Sequence, residues 1–254
     1  MSIYKPMLGE QPDWTRFPRP VSMWVMNEGC GNKIYDLSGN SNDLAFYGSP
    51  EWRAGSIGSA VYLNGGAEWL RRLGSIVTSE PFTIVADWIT STDIQDDIVV
   101  AISNVAITDD YWALRYGFAT SVVRFDVRTT AGGISSTPGV AVAPGQRVWA
   151  AAVAESSASR KIYVDGVYRG IDTTDRTPVV DAFIVGNQRY NANYYSFEGR
   201  INAVMLFPFA LTAQQIQQLY IDPFPWFQRE PAIKLWTPPE DGGIVVLRRR
   251  RECA

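Results

Sequence analysis

Short strand-like runs, separated by turn residues, dominate the chain from about residue 21 to residue 204. Every second side chain of Phe82–Ala86 and of Val123–Val127 is apolar and falls on one face, which is the period of a strand with one buried side. The runs are VSMWVM, AVYLNG, FTIVADWI, DIVVAIS, WALRYGF, VVRFDV, RVWAAAV, KIYVDGVYRG, AFIVGN and INAVMLF. Many strands joined by Gly, Asn, Ser, Asp and Pro turns predict an all-β sandwich.

Two local signals fix a hairpin and a helix. Asp165-Gly166 lies between two alternating runs and suits the positive-φ positions of a type I′ turn. Thr212 is a good helix N-cap, and Gln215 three residues later completes a capping box. Pro223 ends the apolar periodicity that follows. The sequence therefore predicts one short helix near the C-terminal end of the sandwich.

The composition excludes several function classes. The chain has no histidine, which removes Ser-His-Asp and Cys-His catalysis and histidine-ligated zinc. Its formal charge of -3 gives no basic field to attract nucleic acid, so we expect no nucleic-acid partner.

The cysteines and the termini bear on the cellular compartment. Cys30 and Cys253 are too few for the disulfide framework of a small secreted domain, and we expect both to be free thiols. The first residues, MSIYKPMLGEQPDW, have no apolar signal segment, and no run of about eighteen apolar residues occurs. These features predict synthesis in the cytoplasm without membrane insertion.

Both ends of the chain are rich in proline and aromatic residues. Residues 1–20 and 223–254 hold nine of the fifteen prolines, which suppress helices and paired strands. We expect two extended arms whose apolar side chains are buried on a partner or on a second copy of the chain. The candidate assembly residues of the C-terminal arm are Trp226, Phe227, Trp236, Ile244, Val245 and Val246.

The order of motifs between these arms resembles a known family. The motifs include Met23-Trp24, the run Tyr35–Asn40, the run Gly58–Leu63, the hairpin Tyr163–Val167 and the run Phe197–Ile201. Together they resemble the laminin-G-like branch of the concanavalin A-like lectin/glucanase superfamily. The resemblance covers residues 21–222 and implies an antiparallel jelly-roll sandwich. Domains of this branch occur in bacteriophage structural proteins, and some of them bind calcium.

Acidic residues are sparse on the predicted strands. Glucanases of the superfamily that this sequence resembles carry Glu-x-Asp-x-Glu or a close variant on one strand, since glycoside hydrolysis normally needs two carboxylates beside one bond. The main strand acids here, Asp87 and Asp126, have no acidic neighbour two residues away. We therefore expect no enzymatic activity.

Two segments have the composition of a sugar-binding site. Such a site needs an aromatic face beside amides or carboxylates that bond hydroxyl groups. In both segments the alternative is that the aromatic rings close the ends of the sandwich or pack on neighbouring subunits. The candidate carbohydrate-binding residues are Asp109, Asp110, Tyr111 and Trp112 before one strand, and Gln188, Arg189, Tyr190, Asn193, Tyr194 and Tyr195 in a long loop.

One loop has the spacing of a calcium site. Asp36, Ser38, Asn40 and Asn42 occupy alternate positions, and their oxygens suit a hard cation. The same residue types form turns through local hydrogen bonds, and few carboxylates are present to offset the ion's charge. We favour the turn and expect no cofactor.

A lectin-like fold between two assembly arms, made without an export signal, suggests a particle that assembles in the cytoplasm and is displayed outside. The sequence thus predicts a non-enzymatic structural component of a bacteriophage virion, as a capsid decoration, fibre or tail-associated protein. Its expected partners are other virion proteins, copies of itself and a cell-surface glycan. The alternatives are a cellular glycan-binding protein and a glycoside hydrolase.

Overall fold

The strands of the computed structural model follow one another along the chain with short connections, and its one described helix comes last. The structure describes residues 5–7, 9–90, 97–107, 109–117, 121–189 and 195–227. Within these residues the elements are β1 (Ser22–Trp24), β2 (Lys33–Ile34), β3 (Leu44–Tyr47), β4 (Glu51–Ala54), β5 (Ser59–Asn64), β6 (Trp69–Leu73), β7 (Phe82–Thr90), β8 (Asp97–Ser103), β9 (Tyr111–Gly117), β10 (Val122–Thr129), β11 (Gly133–Ser136), β12 (Val140–Ala141), β13 (Arg147–Ser156), β14 (Ser159–Val164), β15 (Val167–Asp172), β16 (Ala182–Val185), β17 (Glu198–Phe207) and α1 (Ala213–Ile221).

The strands form two antiparallel sheets. The eight-stranded sheet has the order β15-β14-β13-β7-β17-β5-β4, and β1 pairs with the end of β17 beyond β5. The nine-stranded sheet has the order β11-β10-β9-β8-β16-β6-β3-β2, with β12 also on β10. The two sheets pack face to face, which confirms the antiparallel sandwich predicted from the sequence.

Alternation along the strands builds the core between the sheets. Phe82 and Ile84 of β7 and Phe125 and Val127 of β10 are fully buried in one cluster, as the sequence period predicts. Burying each such side chain contributes about 1.5–3 kcal/mol. The intervening residues point away from the core, so each sheet has an outer face with its own chemistry.

The predicted turn and helix are confirmed. Asp165 and Gly166 have φ values of 51° and 75°, as a type I′ turn requires. At the start of α1, the Thr212 hydroxyl accepts from the backbone N–H of Gln215 at 3.3 Å, and the Gln215 side chain accepts from the Thr212 N–H at 2.9 Å.

The described parts of the two arms pack on the outer face of the eight-stranded sheet. Trp226 is 1% exposed, and its indole N–H donates to the carbonyl oxygen of Phe17 at 2.8 Å. Phe17, Phe224 and Phe227 join the same cluster, beneath α1. The prediction that Trp226 and Phe227 bind a partner is therefore wrong, because both rings are buried within their own chain. Trp236, Ile244, Val245 and Val246 lie outside the described residues.

Six short strands lie outside the apolar runs of the sequence. Most of their side chains are exposed or half-buried, so they lack a clear apolar period. These strands are β2, β3, β4, β6, β11 and β12.

Cys30 is disulfide-bonded, so the expectation of a free thiol is wrong for this residue, and Cys253 lies outside the described residues.

No helix in the described ranges has the length and apolarity of a membrane span.

Candidate functional site

The two predicted sugar-binding segments meet on the outer face of the nine-stranded sheet. Tyr111 opens β9 and is buried in a small cluster with Ile98, Ala101 and Ala113, and the half-buried Tyr195 packs against this cluster. The backbone joins the two regions as well, since the N–H of Ile98 donates to the carbonyl oxygen of Tyr195 at 3.0 Å. The long loop and the start of β9 therefore contribute to one surface.

Burial changes the role of the two central aromatic residues. Trp112 is fully buried between the sheets, with its ring 5.1 Å from that of Phe82 in an edge-on arrangement. Its prediction as an exposed sugar platform is wrong, because alternation along β9 turns it into the core. Tyr111 is also fully buried, and among the residues that the structure describes its hydroxyl has no hydrogen-bond partner. Burial raises the pKa of Tyr111 to about 12.

The two aspartates before β9 have different roles. Asp110 is buried, and its carboxylate accepts from the backbone N–H of Thr130 at 2.9 Å, so it joins two loops. Asp109 remains accessible and forms an ion pair with Arg128 at 3.0 Å, with 41% and 32% of their side chains exposed. Of the pair, Asp109 is the one available to a ligand.

A charged network covers the sheet next to Tyr111. Asp126 of β10 is fully buried and lies 3.1 Å from both Arg115 Nη1 and Arg124 Nε. The Arg115 guanidinium stands over the Tyr195 ring, 4.4 Å from its centre. We call this surface the charged face and define it by the residues Asp109, Arg115, Arg124, Asp126, Arg128 and Tyr195.

The groups of the charged face act electrostatically on Tyr111. Burial is the main cause of its raised pKa, while Arg115 and Arg128 lower that pKa and Asp126 and Tyr195 raise it. Sequence reasoning missed Arg115, Arg124 and Arg128 as site residues. The available signal was the run VVRFDVR, in which the residues alternating with the core positions of β10 are charged.

The remaining loop candidates are described only in part. Gln188 is 2% exposed, and its backbone N–H donates to the side-chain oxygen of Asn187 at 2.8 Å. The carbonyl oxygen of Arg189 accepts from the Asn187 side chain at 3.2 Å. Tyr190, Asn193 and Tyr194 lie outside the described residues. The described start of this loop is thus closed by its own hydrogen bonds.

The candidate calcium loop forms a hydrogen-bonded turn. One Asp36 carboxylate oxygen accepts from the backbone N–H groups of Met23 and Ser38, both at 2.9 Å, and the other accepts from the N–H of Asn42 at 3.0 Å. The side chains of Ser38, Asn40 and Asn42 all donate to the carbonyl oxygen of Val21. The turn predicted from the sequence is therefore present. Within the described residues, no three His, Cys, Asp or Glu side chains gather as a metal site would require.

The two strand acids lie on opposite sides of the sandwich. Asp87, on the outer face of the eight-stranded sheet, pairs with Arg147 at 2.5 Å and accepts from Asn202 at 3.0 Å. Asp126 belongs to the outer face of the other sheet and is paired with two arginines. Packed sheets are about 10 Å apart, and glycosidase carboxylates are about 5–9.5 Å apart, so two acids on opposite outer faces cannot flank one bond.

The sequence matches a family described as the concanavalin A-like lectin/glucanases superfamily over residues 64–217. No curated protein matches the chain.

Solved structures with the same fold include proteins of several functions. Domain 4 of an extracellular arabinanase from Geobacillus stearothermophilus, in complex with arabinotriose, superposes with a TM-score of 0.64 at 16% identity, covering 80% of this chain and 98% of that one. The binding domain of Paraclostridial Mosquitocidal Protein 1 gives 0.60 at 13% identity, covering 80% and 52%. Trypanosoma rangeli sialidase in complex with sialic acid gives 0.59 at 15% identity, covering 78% and 32%. At these identities the likeness shows the fold alone.

Proposed function

Because the chain belongs to the concanavalin A-like lectin/glucanases superfamily, we propose that it is a non-enzymatic, lectin-like component of a bacteriophage virion that binds a cell-surface glycan through its charged face. One observation carries the glycan-binding part of the proposal. The buried Asp126 holds Arg115 and Arg124 in fixed positions, and Arg115 lies over the ring of Tyr195. Polar groups fixed beside an aromatic ring are what sugar recognition requires.

Accessible groups at the rim complete this surface. Asp109 and Arg128 are partly exposed and offer an acceptor and a donor for sugar hydroxyl groups. The buried ion pairs beneath them fix the geometry, so that little side-chain freedom is lost when a ligand binds. The proposed ligand is a glycan of a host cell surface.

The arrangement of acids supports a binding rather than a catalytic role. On the charged face Asp126 forms ion pairs with two guanidinium groups and Asp109 with a third. Hydrolysis needs one carboxyl to donate a proton and a second to act as base or nucleophile at the same bond. Neither aspartate is arranged in that way.

Exposed apolar side chains support assembly with other subunits. Strand β15 forms an edge of the eight-stranded sheet, where Val167 is 52% and Tyr168 48% exposed, and Ile221 nearby at the end of α1 is 59% exposed. Edge strands with apolar side chains pair readily with other chains. We propose that the virion partners are other structural proteins or copies of this chain, and that the protein has no nucleic-acid or membrane partner.

Glycan binding is tested by presenting the full chain to an array of bacterial cell-surface glycans and titrating the bound glycans by calorimetry. We expect Arg128→Gln and Tyr195→Ala to weaken binding about tenfold, since each removes a contact worth roughly 1–2 kcal/mol. Arg169→Gln on β15 is the matched control, because it makes the same change of charge on the other sheet. Unchanged affinity in both charged-face variants would contradict this site.

Two further measurements separate the alternatives. Incubation with arabinan, β-glucan and sialylated glycans should release no reducing sugar, whereas steady release that Asp126→Asn abolishes would establish a hydrolase. Capsid or tail genes beside the gene of this protein are expected. A neighbourhood of cell-surface genes without virion genes would favour a cellular glycan-binding protein.

A further inference from the structure

A concave site lies on the outer face of the eight-stranded sheet, on the side of the sandwich opposite the charged face. It is a cavity of about 280 Å³ between strands β4, β5, β7 and β17 and the turn before β13. Small-molecule pockets range from about 300 to 1,000 Å³, so this cavity has room for one sugar ring rather than a chain. The side chains that the argument uses are Arg53, Tyr62, Ile89 and Arg200.

Two glycines line the cavity. A Cβ atom on Gly199 would lie 2.3 Å from the carbonyl oxygen of Ile89 and 2.6 Å from the ring of Phe197, so the protein itself fills the space that a side chain at this position would need. Gly145 has a φ of +75° and open space around its Cβ position, and its N–H donates to the carbonyl oxygen of Thr90 at 2.9 Å. At these two positions the lining is therefore backbone without a side chain.

One wall is a preorganised arginine on an aromatic ring. The guanidinium carbon of Arg53 lies 3.4 Å from the centre of the Tyr62 ring. The Nε and Nη2 atoms of Arg53 both donate to Glu51, at 3.0 and 2.8 Å. The guanidinium is thus held flat at the cavity, with Nη1 outside this ion pair.

The second arginine differs from the first. Arg200 is exposed, lies opposite Tyr62 in the register of β17 and β5, and takes part in none of the ion pairs formed within the described ranges. The acids near this wall are already engaged, since Glu51 pairs with Arg53, and Glu198 accepts from the Tyr62 hydroxyl at 3.4 Å. A guanidinium at a cavity is suited to a carboxylate, which it binds through two parallel hydrogen bonds.

We propose that this cavity binds an acidic monosaccharide, with the sugar carboxylate on Arg200 and the ring beside the Arg53–Tyr62 pair. The site is separate from the charged face, and the inference stands whether or not the charged face binds glycan. The ligand class is a hexuronic acid or another sugar that carries a carboxylate.

The test uses two probes that differ only at one carbon, methyl β-glucuronide and methyl β-glucoside, each titrated into the ¹⁵N-labelled full chain. We expect the glucuronide to shift the amide signals of Gly145 and Gly199 and to bind at least tenfold more tightly than the glucoside. Equal affinity for the two probes, or no shift at these amides with either, would overturn the proposal.

Variants locate the binding. Arg200→Gln should weaken glucuronide binding about tenfold. The affinity of Arg200→Lys should fall between those of the parent and of Arg200→Gln, because lysine keeps the charge and loses the planar fork. Arg169→Gln, on the far edge of the same sheet, is the matched control and should leave the affinity unchanged. An Arg200→Gln protein that binds as tightly as the parent would overturn the proposal. A loss of affinity in Arg128→Gln instead would assign the acid to the charged face.

Discussion

Replacing Trp226 by alanine tests whether the start of the C-terminal arm is part of the fold. The indole is 1% exposed and packs 5.6 Å from the rings of Trp14 and Phe17 and 6.3 Å from that of Phe207. Truncating a buried tryptophan costs about 3–5 kcal/mol, because apolar contacts are lost and a cavity remains. For a chain of this length the melting temperature should fall by roughly 6–20 °C.

Two variants make the measurement specific. Trp226→Phe keeps much of the ring but removes the N–H that donates to Phe17 at 2.8 Å, so it should cost only about 1–2 kcal/mol. Ile221→Ala removes an apolar side chain that is 59% exposed and should change stability by less than about 0.5 kcal/mol. The free energies come from urea unfolding followed by tryptophan fluorescence and circular dichroism. If Trp226→Ala were as mild as Ile221→Ala, the ring would be free and the assembly role expected for it from the sequence would be restored.

Three other predictions concern the core, the turn and acid stability. Trp112→Ala should lower the free energy of unfolding by about 3–5 kcal/mol in the same assay, and a nearly unchanged value would return Trp112 to the surface. A chelator should leave the melting temperature unchanged, because the Asp36 carboxylate is occupied by backbone N–H groups; a calcium-dependent rise of several degrees that Asp36→Ala abolishes would contradict this. Burial alone would raise the pKa of Asp172, but hydrogen bonds from Arg160, Thr174 and Ser135 bring it below the ordinary value of 3.8. Its contribution to stability is therefore present above pH 3.8 and is lost as the pH falls through the lower pKa of the folded state. Asp172→Asn should be less stable than the parent at neutral pH and should lose less stability in acid. If the stabilities of the two proteins changed in parallel with pH, the Arg160–Asp172 pair would not account for acid sensitivity.

The parts of the fold that could be predicted depend on neighbours in the sequence. The hairpin at Asp165-Gly166 and the cap at Thr212 are encoded within four residues, and the alternation of β7 and β10 within six. The packing of Trp226 on Phe17 joins positions 209 residues apart, and composition alone could not show that this pair exists. For the same reason the sequence predicts that the aromatic, proline-rich segment around Trp226 binds a partner.

The sequence predicts those residues of the candidate site that lie close together along the chain. It does not predict those that only the pairing of strands brings together. Tyr195 and Asp109 were identified because they lie in polar loops that also contain aromatic residues. Arg115 and Asp126 come from different strands and meet only through the pairing of β9 with β10. Trp112 was misplaced because a shift of one residue at a strand end reverses the face on which a side chain lies.

The register of β9 and β10 explains why the charged face needs its aspartate. Arg115 lies directly opposite Arg124, and like charges at opposed positions of a sheet repel. Asp126 follows two residues after Arg124 on the same face, and its two carboxylate oxygens lie 3.1 Å from the two guanidinium groups. The buried Asp126 carboxylate thus offsets the repulsion between the Arg115 and Arg124 guanidinium groups. The pairing of β9 with β10 sets the distance between the backbones of these residues. The arginines of the charged face are consequently set before any ligand arrives, whereas Arg200 at the opposite cavity is exposed and outside the described ion pairs. An ordered side chain loses less freedom on binding, so the charged face is suited to shape-selective contacts with neutral hydroxyl groups. The cavity, with its exposed Arg200, is suited to binding a charged carboxylate.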